Sequence, residues 1–241
     1  MKKLINVALL SMVAFMLFSC EPIEPEYKYE KFFDEIFTVN KHTVTPDFID
    51  TTLMISNMDA YGFKTGDRVH MTVREYFDLS TMKKPVYEIA NVTRKIPTFS
   101  LSQPGTIDSA EYNANFNKLI YYELADRYLN PVWVWKNRQN VSVSYFGIKE
   151  GASFAMVVRG VNEDCIELDL YAKAQRDNNK TATELLTFDL SNVADFLTDE
   201  QKSSVASLDS LRTRIYLNHE DNNGVVKRVE IIGGKLANPI K

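Results

Sequence analysis

Alternation of apolar and polar residues with a period of two is the feature that most constrains how this chain folds. Successive side chains of a strand point to opposite faces of a sheet, so each such segment is expected to bury one face. The pattern recurs from Thr38 to the C-terminus in short segments separated by turn residues. Spacing of this kind is typical of antiparallel barrels and sandwiches. We therefore predict an all-β protein with one or two short helices.

The predicted strands share alternation or a nearly continuous apolar run. They are residues 53–55, 68–74, 86–92, 141–145, 154–158, 166–170, 186–190, 211–217 and 225–232.

Turn and capping signals add three local predictions. Asp221-Asn222-Asn223-Gly224 tolerates positive φ and predicts a hairpin between the last two strands. Thr198 and Gln201 have capping-box spacing and predict a short helix over residues 199–207. Asp108 and Glu111 share that spacing, which favours a helix within residues 109–128, but the run at residues 119–122 fits a strand equally well. These two alternatives remain open at this point.

The N-terminus has the outline of a secretory signal peptide. Lys2 and Lys3 precede an apolar run of about 15 residues, shorter than the roughly 20 residues needed to cross the hydrocarbon core as a helix. Leu17-Phe18-Ser19-Cys20 then resembles the lipobox of bacterial lipoproteins, which implies cleavage before Cys20 and lipidation of that residue. We expect the membrane to be this protein's partner through the lipid anchor at Cys20. The alternative is that Cys20 is an ordinary residue in a leader cut elsewhere.

Composition divides the chain into five expected parts. These are a signal peptide (1–19), a lipidated tether rich in Pro and Glu (20–34), an OB-like β-barrel domain (35–100), a linker or insertion (101–130) and a β-sandwich domain (131–241). Acidic residues directly after Cys20 resemble a signal that sends some Bacteroidetes lipoproteins to the outer face of the outer membrane. The expected location is the cell envelope, as an outer-membrane lipoprotein.

Charge and cysteine content argue against nucleic-acid binding, an internal disulfide and a nucleophilic cysteine. The formal net charge is −4, and it becomes −6 when Lys2 and Lys3 leave with the signal peptide. A mildly acidic protein lacks the basic footprint of nucleic-acid binding, so no nucleic-acid partner is expected. With Cys20 acylated, Cys165 has no disulfide partner in the chain, and its strand-like surroundings favour a small buried hydrophobe over a nucleophile.

The order of the segments resembles the NigD-like family of Bacteroidetes lipoproteins. This resemblance implies an N-terminal OB-like barrel, a C-terminal β-sandwich and a cell-envelope location, with some relatives linked to bacteriocin loci and hence to immunity or export. It brings no catalytic residues with it. The segments that carry it are the lipobox, Gly66-Asp67-Arg68-Val69, Asn140-Val141-Ser142-Val143-Ser144-Tyr145-Phe146, Leu186-Thr187-Phe188-Asp189-Leu190 and the closing hairpin.

Aromatic residues supply the only candidate ligand site. Tyr121, Trp133, Trp135 and Tyr145 are its expected members, because exposed rings stack on sugars or bind protein partners. The competing interpretation is that Trp133 and Trp135, which share a face, lie in the core.

No reaction motif accompanies these residues. None of the three histidines has ligand-like spacing, so no metal or cofactor is expected, and His70 and His219 are predicted to be exposed to solvent. The first hypothesis is a non-enzymatic envelope lipoprotein that binds a glycan, a peptide or a partner protein. The alternatives are bacteriocin immunity and an enzyme that acts on an envelope polymer, which would need convergent carboxylates.

Overall fold

The computed structural model describes residues 30–77, 84–108, 110–177 and 179–240. The predicted signal peptide and Cys20 lie outside these residues. Within them the regular secondary structure is almost entirely β, with one α-helix, α1 (Asp199–Val205), and two short 3-10 helices, so the all-β prediction is confirmed. The strands are β1 (Glu30–Asn40), β2 (Thr43–Pro46), β3 (Leu53–Met54), β4 (Arg68–Tyr76), β5 (Val86–Ile96), β6 (Thr98–Ser102), β7 (Phe116–Leu119), β8 (Tyr122–Leu124), β9 (Arg127–Leu129), β10 (Val132–Trp135), β11 (Arg138–Phe146), β12 (Ile148–Asn162), β13 (Cys165–Gln175), β14 (Thr181–Asp189), β15 (Ser210–Glu220) and β16 (Val226–Ala237).

The first five strands form a small barrel. Their order in the sheet is β3-β2-β1-β4-β5, and all the neighbouring pairs are antiparallel. A bridge between Ile55 and Tyr87 then connects the two outer strands, and the Ser56 amide donates to the Tyr87 carbonyl at 2.9 Å. Phe37, Val69 and Met71 fill the interior. The OB-like barrel predicted for this region is thus present.

Strand β1 begins inside the range predicted as tether. Glu30 to Asp34 pair with the second half of β4, and the register matches Phe33 with Val73. Phe33 lies against the apolar interior of the barrel, which explains why pairing extends this far towards the N-terminus.

A second sheet of nine strands closes on itself. Its path runs β10-β11-β14-β6-β12-β13-β15-β16, and β7 pairs with both β11 and β15. Seven of the described strands, from β11 through β15 and back through β7, therefore form a closed ring. Closure removes exposed strand edges. The ring encloses the larger core, in which Tyr145, Met156 and Phe188 are fully buried.

Residues 97–130 contribute to this second barrel. β6 lies between β12 and β14 and runs parallel to both, with Leu101 opposite Met156 and Phe99 opposite Phe188. The predicted helix in this region is wrong, because residues 110–128 hold no helix and Asp108 caps only a turn. The strand alternative at residues 119–122 is met only at its two ends, because β7 ends at Leu119 and β8 begins at Tyr122.

The short helix and the closing hairpin predicted from capping and turn residues are confirmed. Thr198 accepts from the Gln201 amide and the Gln201 side chain accepts from the Thr198 amide, which completes the capping box of α1. Asp221 accepts from the amides of Asn223 and Val225, and the turn joins β15 to β16 in antiparallel pairing.

None of the helices in the described ranges combines the length and the apolar character that a membrane-crossing helix needs.

Candidate functional site

The outer face of the first barrel is covered by the second domain. Ile36 and Ile96 project outward from β1 and β5 and pack with residues of the β8–β9 hairpin, of β10 and of β14. We call this contact region the seam. Its apolar members are Ile36, Ile96, Tyr122, Leu124, Leu129, Trp133 and Leu185.

A buried ion pair lies at the centre of the seam. Arg68 and Asp47 are both 0% exposed and form two parallel hydrogen bonds of 2.6 Å each. Arg68 Nη2 also donates to Asn140 Oδ1 at 3.3 Å, and Thr187 Oγ1 donates to the same oxygen at 2.7 Å. Asn140 and Thr187 belong to the second barrel. The network therefore joins the two barrels through polar groups that have no access to water.

His70 lies beside this pair on the same face of β4. The prediction that it is exposed is wrong: the residue is only 5% exposed, because the β8–β9 hairpin covers it. Its Nε2 lies 3.0 Å from Asp34 Oδ1, and its Nδ1 lies 2.7 Å from the Tyr122 hydroxyl. Arg94 donates to that hydroxyl at 2.9 Å. Asp34 also accepts from the Ala125 amide at 2.7 Å, so this cluster fixes the hairpin to β1.

Glu35 is the most strongly perturbed carboxyl group of the seam. Burial raises its pKa from 4.5 to about 7, and the neighbouring Arg127 opposes this only in part. Arg127 pairs with Glu35 and also lies over the Phe48 ring, 5.3 Å from its centroid. The Glu35 carboxyl group is therefore engaged by Arg127 inside the seam.

A cleft opens where the β10–β11 hairpin meets the first barrel. Trp135 closes one side, and its ring lies 5.4 Å from the ring of Phe48. The cleft has a volume of about 230 Å³. We call it the Trp135 cleft, and its lining consists of Thr38, Asn40, Thr45, Trp135, Lys136, Asn137 and Arg138.

The hairpin that carries Trp135 is held at its base. Arg138 of β11 pairs with Asp189 of β14. Just after β14, the Asn137 side chain donates to Ser191, and the Leu190 amide donates to the Asn137 carbonyl at 2.8 Å. Burial alone would raise the pKa of Asp189, but hydrogen bonds from Ser191 and the charge of Arg138 outweigh it and lower that pKa. Lys136 reaches Asp50 of the first barrel at 3.2 Å.

Glycines allow β16 to pass close to this hairpin. A Cβ atom on Gly234 would lie only 3.1 Å from the Val134 amide nitrogen, and one on Gly233 would lie 2.1 Å from Thr213 Oγ1. A side chain on Gly234 would displace β10, and one on Gly233 would collide with Thr213 of β15, so Gly233-Gly234 serves strand packing.

The aromatic residues predicted from sequence do not form one patch. Tyr145 is 0% and Trp133 6% exposed, so their rings belong to the second core and to the seam and are closed to a ligand. Tyr121 is exposed but is absent from the cleft lining. Only Trp135 lines the cleft. Phe48, whose ring contacts Trp135, was missed because it lies in a stretch for which the sequence predicted no strand.

Cys165 and His219 are the remaining residues considered from the sequence. Cys165 is buried, as predicted, and burial with the nearby Asp164 raises the pKa of its thiol, opposite to what nucleophilic reactivity needs. His219 is half-buried next to the hairpin turn. Among the described residues no three His, Cys, Asp or Glu side chains are grouped to hold a metal ion.

Fold and seam together define a class: a two-domain all-β protein in which a small barrel is locked onto a larger closed β-domain. The sequence matches no family model and no curated protein. Solved structures do share the fold. One is a candidate toxin-related protein from Parabacteroides distasonis, with a TM-score of 0.57 and 13% identity, covering 84% of this chain and 93% of that one.

Two further structures connect the fold to the resemblance seen in the sequence. A NigD-like immunity protein from Bacteroides caccae has a TM-score of 0.51 at 11% identity, with 83% of this chain and 91% of that chain covered. A candidate lipoprotein from Bacteroides fragilis has a TM-score of 0.55 at 13% identity, with 87% and 98% covered. At such identities the likeness is one of fold, and at that level it confirms the NigD-like resemblance.

Proposed function

We propose that this protein is an envelope lipoprotein that acts as a non-enzymatic binding module, with the Trp135 cleft as its binding site for a glycan. The observation that carries the proposal is the cleft itself. It combines one accessible indole ring with hydroxyl, amide and cationic side chains from both barrels. Aromatic rings provide apolar contact with a sugar face, and the polar groups provide hydrogen bonds to its hydroxyls.

The carboxylates support binding over catalysis. Asp34, Glu35 and Asp47 are engaged within the seam by His70, Arg127 and Arg68, respectively. A general acid or base must reach the substrate within hydrogen-bonding distance. Groups that hold two domains together are poorly placed for that task.

A glycan screen tests the proposal. The chain from residue 21 onward is applied to an array of envelope and host glycans, and hits are titrated. Trp135→Ala is expected to weaken a saturable hit about tenfold or more, equivalent to about 1.4 kcal/mol. Tyr128→Ala, which removes an aromatic ring that is 69% exposed and outside the cleft lining, is the matched control and should bind normally. A hit that Trp135→Ala leaves unchanged would refute the site.

Lipid anchoring has its own test. Cells fed a palmitate analogue should label the wild-type protein, and Cys20→Ala should abolish the label. Equal labelling of both forms would reject the lipobox assignment.

Bacteriocin immunity is the second candidate, and the name of the B. caccae neighbour favours it. Cells that express the gene would then survive a bacteriocin encoded beside it, and cells without the gene would not. A chromosomal neighbourhood without any bacteriocin gene would count against this role.

A further inference from the structure

A second cavity lies at one end of the first barrel, separate from the Trp135 cleft. Its volume is about 210 Å³, and its walls are largely apolar, with Phe33, Phe37, Ile49 and Leu53 among them. None of its lining residues belongs to the second domain. We call it the barrel-mouth pocket.

The path of the chain explains why the barrel is open here. β1 and β2 pair only from Phe37 opposite Pro46 to the hairpin turn. After Pro46 the chain leaves the barrel wall, because Asp47 pairs with Arg68 and Phe48 packs on Trp135. The chain rejoins the sheet at Leu53, and the gap between these points exposes part of the interior.

A carboxylate lies on the apolar inner face of this opening. Glu75 continues the inward-facing series of Val69, Met71 and Val73 along β4, and its register partner on β5 is Tyr87. The Tyr87 hydroxyl donates to Glu75 Oε1 at 3.1 Å. Burial and the charge of Glu75 both raise the pKa of Tyr87, which keeps that hydroxyl protonated as a donor. In the ranges that the structure describes, no cationic side chain forms an ion pair with Glu75.

The same opening already accommodates a cation on an aromatic ring. The Lys31 ammonium lies 4.5 Å from the centroid of Phe33, and Lys31 is opposite Glu75 in the β1–β4 register. An ammonium at this distance is attracted by the ring quadrupole. The entrance of the barrel-mouth pocket thus combines the Glu75 carboxylate with the cation-binding ring of Phe33, above an apolar cavity.

We propose that the barrel-mouth pocket binds a small organic ammonium compound with an apolar body. The ammonium group lies between the Glu75 carboxylate and the Phe33 ring, where it replaces Lys31. The apolar body enters the pocket against Phe37 and Leu53. Ion pairing and cation–π attraction select the charge, and the pocket walls select an aromatic or branched aliphatic group.

Three probes of matched shape test the charge selectivity. Benzylamine, benzyl alcohol and benzoate are titrated separately into the mature chain with Cys20→Ser, and binding is followed by calorimetry and by ligand-observed NMR. Saturable binding of benzylamine, at least about tenfold tighter than that of benzyl alcohol, is expected, with benzoate weakest. Equal affinity for the amine and the alcohol would overturn the assigned ligand class. If none of the probes saturates at concentrations on the order of 10 mM, the proposed site is overturned.

Variants locate the binding. Glu75→Gln should remove the preference for the amine and retain weak binding of the alcohol. Thr51→Trp, at the exposed rim of the pocket, should block all three probes without changing the core, which circular dichroism checks. Glu123→Gln, an exposed carboxylate on β8, is the control for net charge. The glycan and amine titrations probe different sites, the Trp135 cleft and the barrel-mouth pocket, so this proposal and the glycan proposal can fail independently.

Discussion

Arg68 shows how one residue can join two domains. Its guanidinium is fully buried, forms a bidentate pair with Asp47 and extends to Asn140 of the second barrel. A buried charge without its partner is strongly destabilising, whereas a paired and hydrogen-bonded one is tolerated. Arg68 and Asp47 therefore depend on each other for their burial in the seam.

Removing Arg68 should lower the stability of the protein strongly. Arg68→Ala leaves Asp47 buried and unpaired, and we expect a loss of about 3–5 kcal/mol in the free energy of unfolding. Lys136→Ala breaks an exposed pair with Asp50 and should cost at most about 1 kcal/mol. Urea denaturation of both variants checks this difference. Similar losses in the two would contradict the assigned role of the buried pair.

Glu35 should make stability depend on pH near neutrality. Its pKa is about 7 in the folded protein, against an ordinary value of 4.5, because burial disfavours its charged form. Between these values the folded state holds a proton that the unfolded state has released, so this contribution to stability is complete below about pH 4.5 and is lost as pH rises through 7. Glu35→Gln should therefore gain stability relative to wild type from pH 5 to pH 8.

Urea midpoints at several pH values measure that gain. Glu123→Gln is the control, since this carboxylate is exposed. A stability difference between Glu35→Gln and wild type that stays constant with pH would show that Glu35 ionises normally in the folded protein.

At the residue scale, the alternation of apolar and polar residues predicted which face of a strand a side chain is on, but not whether that face is covered. Arg68 and His70 alternate with Val69 and Met71, which correctly assigned them to the outer face of a strand. Alternation cannot distinguish a polar face in water from one covered by a polar seam, because the residue types are the same. For this reason His70 was predicted to be exposed and Arg68 was not recognised as buried. The identities of Asp47 and Asn140 as partners depend on contacts far apart in sequence.

At the scale of elements, strands were predictable where one face packs on a core. The alternation in β13 and β15 and the turn between β15 and β16 were all confirmed. β6 and β7 were not foreseen, because they are short and their pairing partners lie far along the chain. β11 was expected to be half-buried, yet Ser142 and Ser144 are also buried, since its second face is covered.

Packing between β10 and β16 gives an element-scale prediction. Gly234→Val would place a branched side chain against Val134, so β10 must move and the Trp135 cleft with it. We expect a loss of about 1–3 kcal/mol in stability and a shift in tryptophan emission. Lys235→Val, at the exposed neighbouring position, should change neither. Unchanged fluorescence in Gly234→Val would mean that β10 does not depend on this close approach.

At the scale of the whole molecule, the two barrels behave as one body in this account. The seam combines an apolar cluster, the Arg68–Asp47 pair and the His70 cluster. The first two connect the first barrel to the second, and the His70 cluster connects it to the β8–β9 hairpin. The Trp135 cleft is formed by residues of both barrels, so its shape depends on their fixed relation. An interface with an apolar cluster and buried polar bonds opposes independent domain motion.

Scanning calorimetry of the chain from residue 21 onward tests this claim most directly, because it reports how many units unfold cooperatively. We expect a single transition whose calorimetric enthalpy equals its van't Hoff enthalpy, with tryptophan fluorescence and circular dichroism melting together. We also expect Arg68→Ala to lower or split that transition. Two separate transitions in the wild-type protein would show that the barrels unfold independently and that the Trp135 cleft has no fixed shape.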